Sequence, residues 1–264
     1  MHPASPNASF SRLGVYDECP RHYQYKYIDR VPEPERPEQH DKKGNIKPPA
    51  HVRGSWIHDQ AEQYIHGKIH DSNLPYELMN IKPELRAARQ QLEKLPETVI
   101  TEQKWYSNEL WMPIEPPTEE HPGYYLITII DCILFDPVDP TKARICDIKS
   151  GKRYNNESKH QRQLQLYALA AFHRYPDLYA VESELWYSDL GLIHKKYMTR
   201  PQILPQQTFW DNKIAAMQND LFFVPKPSVK TCNFCPYGKK KHSNKWVNKS
   251  DHCQESIVRE DFMK

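Results

Sequence analysis

Two acidic residues and a lysine stand in or at the end of apolar runs, where charged side chains need a partner. Asp147 and Lys149 are two residues apart at the end of one run, and Asp131 interrupts the run from 124 to 135. Residues two apart on a β-strand point to the same face. The intervening Asp-Pro-Val-Asp-Pro-Thr-Lys segment is typical of a turn. A hairpin folded about Asp139 places Asp131 opposite Asp147.

Two carboxylates and an ammonium group on one patch of sheet suit a divalent metal ion and a water molecule, and therefore hydrolysis of a phosphodiester. Carboxylate oxygens are hard ligands of the kind that Mg²⁺ or Mn²⁺ prefers. A bound ion lowers the pKa of its water, and a nearby lysine can position that water and neutralise charge. The alternative is a strand-end salt bridge between Asp147 and Lys149. That alternative leaves Asp131 unexplained, because an unpaired charge in an apolar strand is costly.

Neighbouring segments offer further ligands for such an ion. A helix is predicted over residues 55–68, where His58 and Glu62 are four residues apart and share a face. Glu102 lies in a strand predicted over residues 99–105. A neutral imidazole facing the end of the sheet can complete a coordination shell. An ordinary pair on the helix surface is the alternative for His58 and Glu62, and Glu102 is an equally open auxiliary candidate.

A second polar pair lies on a helix predicted over residues 158–175. Gln163 and Tyr167 are four residues apart, whereas Leu164 and Ala168 fall on another face that can pack on the sheet. The polar pair can hydrogen-bond the lysine, the water or a DNA phosphate. A half-buried helix flank is the alternative.

The six cysteines form two sets. Cys132 and Cys146 lie nearly opposite each other in the apolar hairpin, and we interpret them as small buried residues. The remaining four lie near the two ends of the chain. An intracellular protein keeps its thiols reduced, so these cysteines are expected to be metal ligands and not a disulfide framework.

The Cys232-x-x-Cys235 motif lets two thiolates reach one metal from a tight turn, and Cys253 can supply a third. Four thiolates suit a [4Fe–4S] cluster or Zn²⁺. A ligand from the start of the chain would join its two ends, whereas a frayed tail with unpaired thiols is the alternative. The candidates for the fourth ligand are Cys19, His242 and His252.

The order of elements predicts an α/β fold in which a central mixed sheet is flanked by helices on both faces. A short helix is expected from Ser9, strands over 180–188 and 193–198, and a last helix over 206–222. Residues 31–50 hold five prolines and many charges, and they are predicted to be a mobile loop or lid. One domain over 1–264 is expected, with residues 9–28 and 225–255 forming a cysteine-cluster subregion.

Composition excludes some functions and leaves others open. The net charge of +2 over 264 residues does not announce a nucleic-acid-binding protein, although a local basic groove is compatible with it. Neither a membrane-spanning stretch nor the apolar core of a signal peptide is apparent, so a cytoplasmic location is expected. The sequence holds no Gly-x-x-x-x-Gly-Lys-Ser/Thr loop, which argues against an ATPase. Basic residues that could line a DNA path, or form a solvated face, are Lys152, Arg153, Lys159, Arg162 and Lys239 to Lys241.

Taken together, these motifs resemble the RecB-type branch of the PD-(D/E)xK nucleases. Within that branch they are most similar to the Cas4-like and phage exonucleases that carry a four-cysteine iron–sulfur cluster. The resemblance runs from Ser9 to Cys253. Its motifs are Ser9-x-Ser11 with Tyr16 and Cys19-Pro20, Gly54-x-x-x-His58, Asp131, Asp147-x-Lys149, Gln163-x-x-x-Tyr167, Cys232-x-x-Cys235-Pro236 and Cys253.

The resemblance implies a role for each matching residue. It implies that Lys149 is the catalytic lysine and that Gln163 and Tyr167 support the active site and contact DNA. Two features depart from the family pattern: an apolar stretch precedes Asp131, and the gap from Cys235 to Cys253 is long. The implied ligands of the divalent ion are His58, Asp131, Asp147 and the carbonyl of Ile148. The implied ligands of the cluster are Cys19, Cys232, Cys235 and Cys253.

The function expected from this resemblance is a Mg²⁺- or Mn²⁺-dependent DNA exonuclease that leaves 5′-phosphate and 3′-hydroxyl ends. Single- or double-stranded DNA ends would be its partner, in recombination, repair or replication, together with further copies of the chain or a partner protein. One alternative is a DNA-binding or scaffold protein with a structural metal cluster. Another is a restriction-type endonuclease.

Overall fold

The structure, a computed structural model of the chain, describes residues 7–34, 39–40, 44, 46–121, 123–151, 156–242, 245–248, 253 and 255–256. The chain divides into two compact units. The smaller unit comprises Met1–Glu38 and Asp211–Lys264, and the larger unit comprises Gln39–Trp210. Neither unit alone spans 1–264, and the organisation of the whole chain as one domain stays a prediction.

Helices occur in both units. Several carry the expected terminal signals, such as Glu157 in the first turn of one helix and Arg174 in its last turn, which suit the helix dipole. Short 3₁₀ helices occur at Asp71–Asn73, Tyr76–Ile81, Pro96–Thr98 and Leu204–Gln206, and a short π-helix occurs at Gln24–Ile28. The α-helices are α1 (Phe10–Glu18), α2 (Pro20–Tyr23), α3 (Ala50–Ile65), α4 (Lys82–Lys94), α5 (Glu157–Arg174), α6 (Arg200–Ile203), α7 (Gln207–Gln218) and α8 (Val229–Phe234).

The strands range from two residues to ten. The long ones are rich in β-branched and aromatic residues, as expected for strands that are buried on at least one face. The strands are β1 (Ala8–Ser9), β2 (Gln39–His40), β3 (Ile46–Lys47), β4 (Val99–Ser107), β5 (Pro113–Ile114), β6 (Leu126–Phe135), β7 (Lys142–Lys149), β8 (Ala180–Tyr187), β9 (Leu192–Thr199), β10 (Lys239–His242) and β11 (Lys245–Asn248).

Six strands of the larger unit form one mixed sheet in the order β5-β4-β6-β7-β8-β9. Neighbouring strands are antiparallel except for β7 and β8, which are parallel. A parallel pair needs a crossover connection, and α5 lies in the one between β7 and β8. The mixed α/β fold with a central sheet flanked by helices confirms the predicted fold class.

Helices cover both faces of this sheet. On one face Cys132, Cys146 and Trp186 are buried in an apolar cluster with residues of α3 and α4. Helix α5 contacts β6, β7 and β8, and most of its second half is buried. The buried positions of Cys132 and Cys146 confirm their interpretation as small core residues. Because side chains alternate along β6 and β7, the neighbouring Asp131 and Asp147 point to the opposite face of the sheet.

The hairpin of β6 and β7 has the predicted register. Cys132 pairs with Cys146, and the same register continues toward Asp131 and Asp147. Local turn chemistry explains this pairing. The side chain of Asp136 accepts hydrogen bonds from two turn N–H groups, at 2.8 and 3.0 Å. Because the turn is built from neighbouring residues, the register was readable from sequence.

Helix boundaries differ from the prediction at both ends of α3, which ends at Ile65 and not at residue 68, and at the end of α7. Helix α3 begins at Ala50 and not at residue 55, so Gly54 lies inside the helix and not before it. A Cβ at Gly54 would lie 3.6 Å from Ser150 Oγ, an ordinary van der Waals distance, so α3 passes close to the chain that follows β7. Helix α7 ends at Gln218, since the side chain of Asp220 caps the following backbone.

Of residues 31–50, positions 35–38, 41–43 and 45 lie outside the described residues. Strands β2 and β3 pair antiparallel within this segment. The mobility of the segment stays a prediction. No helix in the described part of the chain is both long and apolar enough to cross a bilayer.

Aromatic rings form much of the core of the smaller unit. Tyr23 is fully buried, and its ring centroid lies 5.6 Å from that of Tyr16, 5.3 Å from that of Tyr27 and 6.1 Å from that of Phe223. Large rings with two side-chain torsions bury much apolar area at little entropic cost. They give this unit a core that needs few aliphatic residues.

Candidate active site

The candidate site of the larger unit lies beside the last residues of β7. Strand β6 carries Asp131, and β7 carries Asp147 and Lys149. Helix α3 contributes His58, and β4, the neighbour of β6, contributes Glu102. The structure thus brings together residues that lie up to 91 positions apart in the sequence.

His58, Glu102 and Asp131 form a compact donor cluster. The Nδ1 atom of His58 lies 3.3 Å from Asp131 Oδ1 and 3.6 Å from Glu102 Oε1. One ligand atom from each of the three lies within 4.8 Å of the others. One imidazole nitrogen and two carboxylate oxygens are donors that Mg²⁺ and Mn²⁺ accept, so the residues present fit a divalent ion.

The charge of His58 responds to this cluster. Burial lowers the pKa of the imidazole, but hydrogen bonds to Asp131 and Glu102 outweigh burial and raise the pKa to about 10. The imidazole therefore carries a positive charge between two carboxylates at neutral pH. The cluster favours positive charge at its centre, which is what a metal site requires.

Lys149 connects the sheet with α5. Its Nζ atom lies 2.6 Å from Asp147 Oδ2 and donates a hydrogen bond of 3.0 Å to Gln163 Oε1. Gln163 Nε2 in turn donates to Tyr167 Oη at 2.5 Å. A continuous chain of polar contacts therefore runs from Asp147 to Tyr167, and it holds the ammonium group in one place.

Burial changes the pKa values of the residues that form these polar contacts. It raises the pKa of the Asp147 carboxyl to about 6, against the effect of Lys149 and with that of Asp131. Burial lowers the pKa of Lys149, but the two nearby carboxylates raise it by more. Burial also raises the pKa of Tyr167 well above its ordinary value. At neutral pH the lysine is an ammonium ion and the tyrosine a neutral phenol.

This arrangement of acids and lysine agrees with the family comparison. A family model described as the PD-(D/E)XK nuclease superfamily matches residues 7–239. The chain belongs to this superfamily. The membership confirms the predicted resemblance, and it makes this chain a nuclease of a class that uses divalent metals.

Two further comparisons add little to this assignment. A solved structure titled "Crystal structure of SSO0001" is 14% identical, with a TM-score of 0.41 over 90% of this chain and 86% of that chain. No curated protein sequence matches this nuclease significantly.

Glu102 reaches the site through an unusual backbone. Its φ angle is +46°, in the left-handed region that residues with a Cβ rarely adopt. The regular pairing of β4 with β6 is interrupted there, because Thr101 pairs with Cys132 and Gln103 pairs with Ile130. Strained residues of this kind concentrate at functional sites. Strand alternation alone cannot reveal this feature, so the sequence left Glu102 as an auxiliary candidate.

Glu62 has a different environment from Glu102. It lines the same open cleft as His58 and Glu102, but its carboxylate accepts a hydrogen bond of 3.3 Å from Thr101 Oγ1. It is not among the three clustered donors. The i, i+4 relation with His58 therefore does not place Glu62 in the cluster.

The glutamates give a matched test. Glu102→Gln is expected to weaken Mn²⁺ binding by roughly 10- to 100-fold, because it removes one of two negative donors from the cluster. Glu62→Gln should have a much smaller effect on the same affinity. Titration calorimetry with Mn²⁺ would compare the two variants. Equal losses, or a larger loss for Glu62→Gln, would contradict the donor cluster.

Two residues of the implied ligand set lie outside the donor cluster. Asp147 faces Lys149, and only 1% of the residue is exposed. Ile148 donates its backbone N–H to Asp131 Oδ2 at 2.7 Å, which fixes that carboxylate. Metal ligation by Asp147 and by the Ile148 carbonyl stays a prediction.

The four remaining cysteines lie together in the smaller unit. All four line one cavity of about 350 Å³, a volume that includes space open to solvent. Gly238 closes the loop after the Cys-x-x-Cys motif, and a Cβ there would collide with the Cys232 carbonyl oxygen. The four are Cys19, Cys232, Cys235 and Cys253, and none of them forms a disulfide in the structure.

Mutual proximity affects the ionisation of these thiols. Burial, together with the nearby Cys235, Glu255, Cys232 and Cys19, raises the pKa of Cys253 to about 11. Thiolates so close together repel one another without a cation. A metal centre would remove that repulsion, so the donor set fits one.

The basic residues predicted to line a DNA path are only partly described. Lys159 and Arg162 are exposed on α5, and the Arg162 guanidinium lies 6.0 Å from the centre of the Phe209 ring. Lys152 and Arg153 lie outside the described residues, as does His252. The segment from Lys239 to Lys241 lies in β10, which pairs with β11.

Proposed function

We propose that this nuclease is a metal-dependent DNA exonuclease that leaves 5′-phosphate and 3′-hydroxyl ends. The position of Lys149 carries the proposal: its Nζ atom is held by Asp147 and Gln163 on the strand next to the donor cluster. That placement puts one charged donor beside a set of candidate metal ligands, and metal-dependent hydrolysis of a phosphodiester can use both.

The metal would be held by His58, Glu102 and Asp131, with Asp147 as a further ligand from β7. When bound, Mg²⁺ or Mn²⁺ supplies a Lewis acid and lowers the pKa of a coordinated water. Asp131 is well suited to this role, because the Ile148 N–H fixes one of its oxygens and leaves the other toward His58. A fixed carboxylate loses little entropy when it binds an ion.

Lys149 would orient the attacking water and offset the negative charge that develops on the phosphoryl oxygens. Gln163 and Tyr167 hold its ammonium group in position. Attack of the water oxygen on phosphorus breaks the bond to the 3′ oxygen, which takes up a proton. The products are then a 3′-hydroxyl on one side and a 5′-phosphate on the other.

The test of this function uses labelled linear DNA, single- and double-stranded, beside covalently closed circles. With Mg²⁺ or Mn²⁺ we expect progressive loss of linear DNA from its ends, while the circles persist. Discrete fragments from the circles would instead indicate a restriction-type endonuclease. Binding without cutting under all metals would indicate a scaffold protein. We also propose that the exonuclease acts in DNA recombination, repair or replication, in the cytoplasm of a bacterial or phage-infected cell.

We further propose that Cys19, Cys232, Cys235 and Cys253 bind a [4Fe–4S] cluster, with Zn²⁺ as the alternative. All four thiols line one cavity, so they can reach a common metal centre. The resemblance to nucleases that carry a four-cysteine iron–sulfur cluster favours the cluster over a single ion. The cluster would tie residues near the start of the chain to its last segment.

An iron–sulfur cluster at these four cysteines would give the purified protein a colour. Protein purified without oxygen is expected to be brown and to contain iron and sulfide in equal amounts. Cys232→Ser should lose most of the iron, because one of four thiolates is missing. Cys146→Ala is the matched control, since this thiol lies in the sheet core and should leave the iron content unchanged. A colourless protein with one equivalent of zinc would rule out the iron–sulfur cluster and support the alternative.

A further inference from the structure

His160 lies on the same face of α5 as the residues that hold the catalytic lysine. Positions 160, 163 and 167 follow the i, i+3, i+7 spacing of one helix face. His160 is half-buried, and its Nδ1 atom lies 2.8 Å from Tyr187 Oη. The helix therefore contacts the sheet twice on this face, through Gln163 and through His160.

Tyr187 is the residue of β8 that pairs with Lys149 of β7. Paired residues on neighbouring strands point to the same face of the sheet. The contact of Lys149 with Gln163 and the contact of Tyr187 with His160 thus lie side by side. Tyr187 is 1% exposed, and the ring of His194 lies 5.7 Å away from it. A phenol enclosed in this way fixes the orientation of the imidazole.

The charge state of His160 decides what it can donate. Burial, together with the positive charges of Lys149 and Lys159, lowers the pKa of its imidazole to about 4. The ring is neutral at pH 7 and has one N–H group. If the Tyr187 hydroxyl donates to Nδ1, the proton lies on Nε2. A neutral imidazole is a poor general acid, so we assign His160 a hydrogen-bonding role and not proton transfer.

We propose that Nε2 of His160 donates a hydrogen bond to a non-bridging oxygen of the DNA phosphate that lies at Lys149. Tyr187 is then a positioning residue, which selects the imidazole tautomer and orientation. This inference rests on the proposed nuclease function. It adds a phosphate-binding residue to the lysine and the metal ligands.

Two amide variants separate this role from a structural one. The amide nitrogen of His160→Gln can occupy the place of Nε2, whereas His160→Asn can replace only Nδ1. We expect His160→Asn to lower kcat/KM for linear DNA by roughly 10- to 100-fold, because a hydrogen bond to a charged group is lost. His160→Gln should keep most of the activity. The salt dependence of DNA binding should not change, since a neutral donor releases no counterion.

Tyr187→Phe supplies a second measurement. It should reduce cutting in the otherwise wild-type protein but have little further effect together with His160→Asn, because the contact that it orients is already lost. Thermal unfolding of each variant checks that the fold is intact. Activity retained by His160→Asn and lost by His160→Gln would overturn the proposal, as would full activity in both. Absence of cutting by the wild-type protein would instead refute the nuclease function together with this inference.

Discussion

Lys149→Ala is expected to reduce DNA cutting by roughly 10²- to 10³-fold while metal binding persists, because one charged donor at the transition state is lost. The clustered metal donors belong to other residues. Mn²⁺ affinity and single-turnover cutting, measured on the same preparation, would separate the two effects. Lys149→Ala and wild type should have the same Mn²⁺ affinity and should differ in the rate of single-turnover cutting.

The variant also removes the cation that faces Asp147, a carboxylate that is 1% exposed. Loss of one partner of a buried pair is destabilising, so the unfolding midpoint should fall as well. Lys149→Gln retains a donor for Asp147 and limits this loss. It should fold well and still fail to cut at the wild-type rate.

Lys142→Ala is the matched control for this experiment. Lys142 lies at the other end of β7, roughly 23 Å from Lys149 by strand geometry, and it pairs with Asp139 in the turn. Its removal should leave cutting unchanged. If Lys149→Ala and Lys149→Gln both cut as fast as Lys142→Ala, the assignment of the lysine is wrong.

Asp131→Asn should abolish cutting through a different cause, namely loss of the metal. An asparagine oxygen can still accept the Ile148 N–H, so the fold is expected to persist. One of the two negative charges beside His58 is gone, and Mn²⁺ affinity should fall by about 100-fold or more. Titration calorimetry with Mn²⁺ would show this loss of affinity in Asp131→Asn and no such loss in Lys149→Ala.

Asp177→Asn provides the corresponding control, because Asp177 is exposed in the turn between α5 and β8. It should match wild type in both metal affinity and cutting. Wild-type Mn²⁺ affinity in Asp131→Asn would show that the ion binds elsewhere. Excess Mn²⁺ should partly restore the rate of Asp131→Asn but not that of Lys149→Ala.

The fold was predictable where the signals are local. The turn around Asp136 and the alternation along β6 and β7 fix the register, and this register brings Asp131 toward Asp147. The pairing of Gln163 with Tyr167 follows directly from helical spacing. These relations depend on neighbouring residues, so the sequence contains them.

Other features depend on how separate elements meet, and the sequence does not contain them in readable form. The choice of Glu102 over Glu62 depends on one positive φ angle in β4 and on the hydrogen bond between Glu62 and Thr101. His160 was missed because its partner Tyr187 lies beyond the crossover to β8. The division into two units depends on contacts between distant parts of the chain.

The most direct test of the central claim is end-labelled linear DNA incubated with wild type, Asp131→Asn and Lys149→Ala, in Mn²⁺ or in a chelator of divalent metals. We predict cutting by wild type only, and only with metal, into products with 5′-phosphate ends. Metal-independent cutting, or equal cutting by all three proteins, would contradict a nuclease centre formed by these residues.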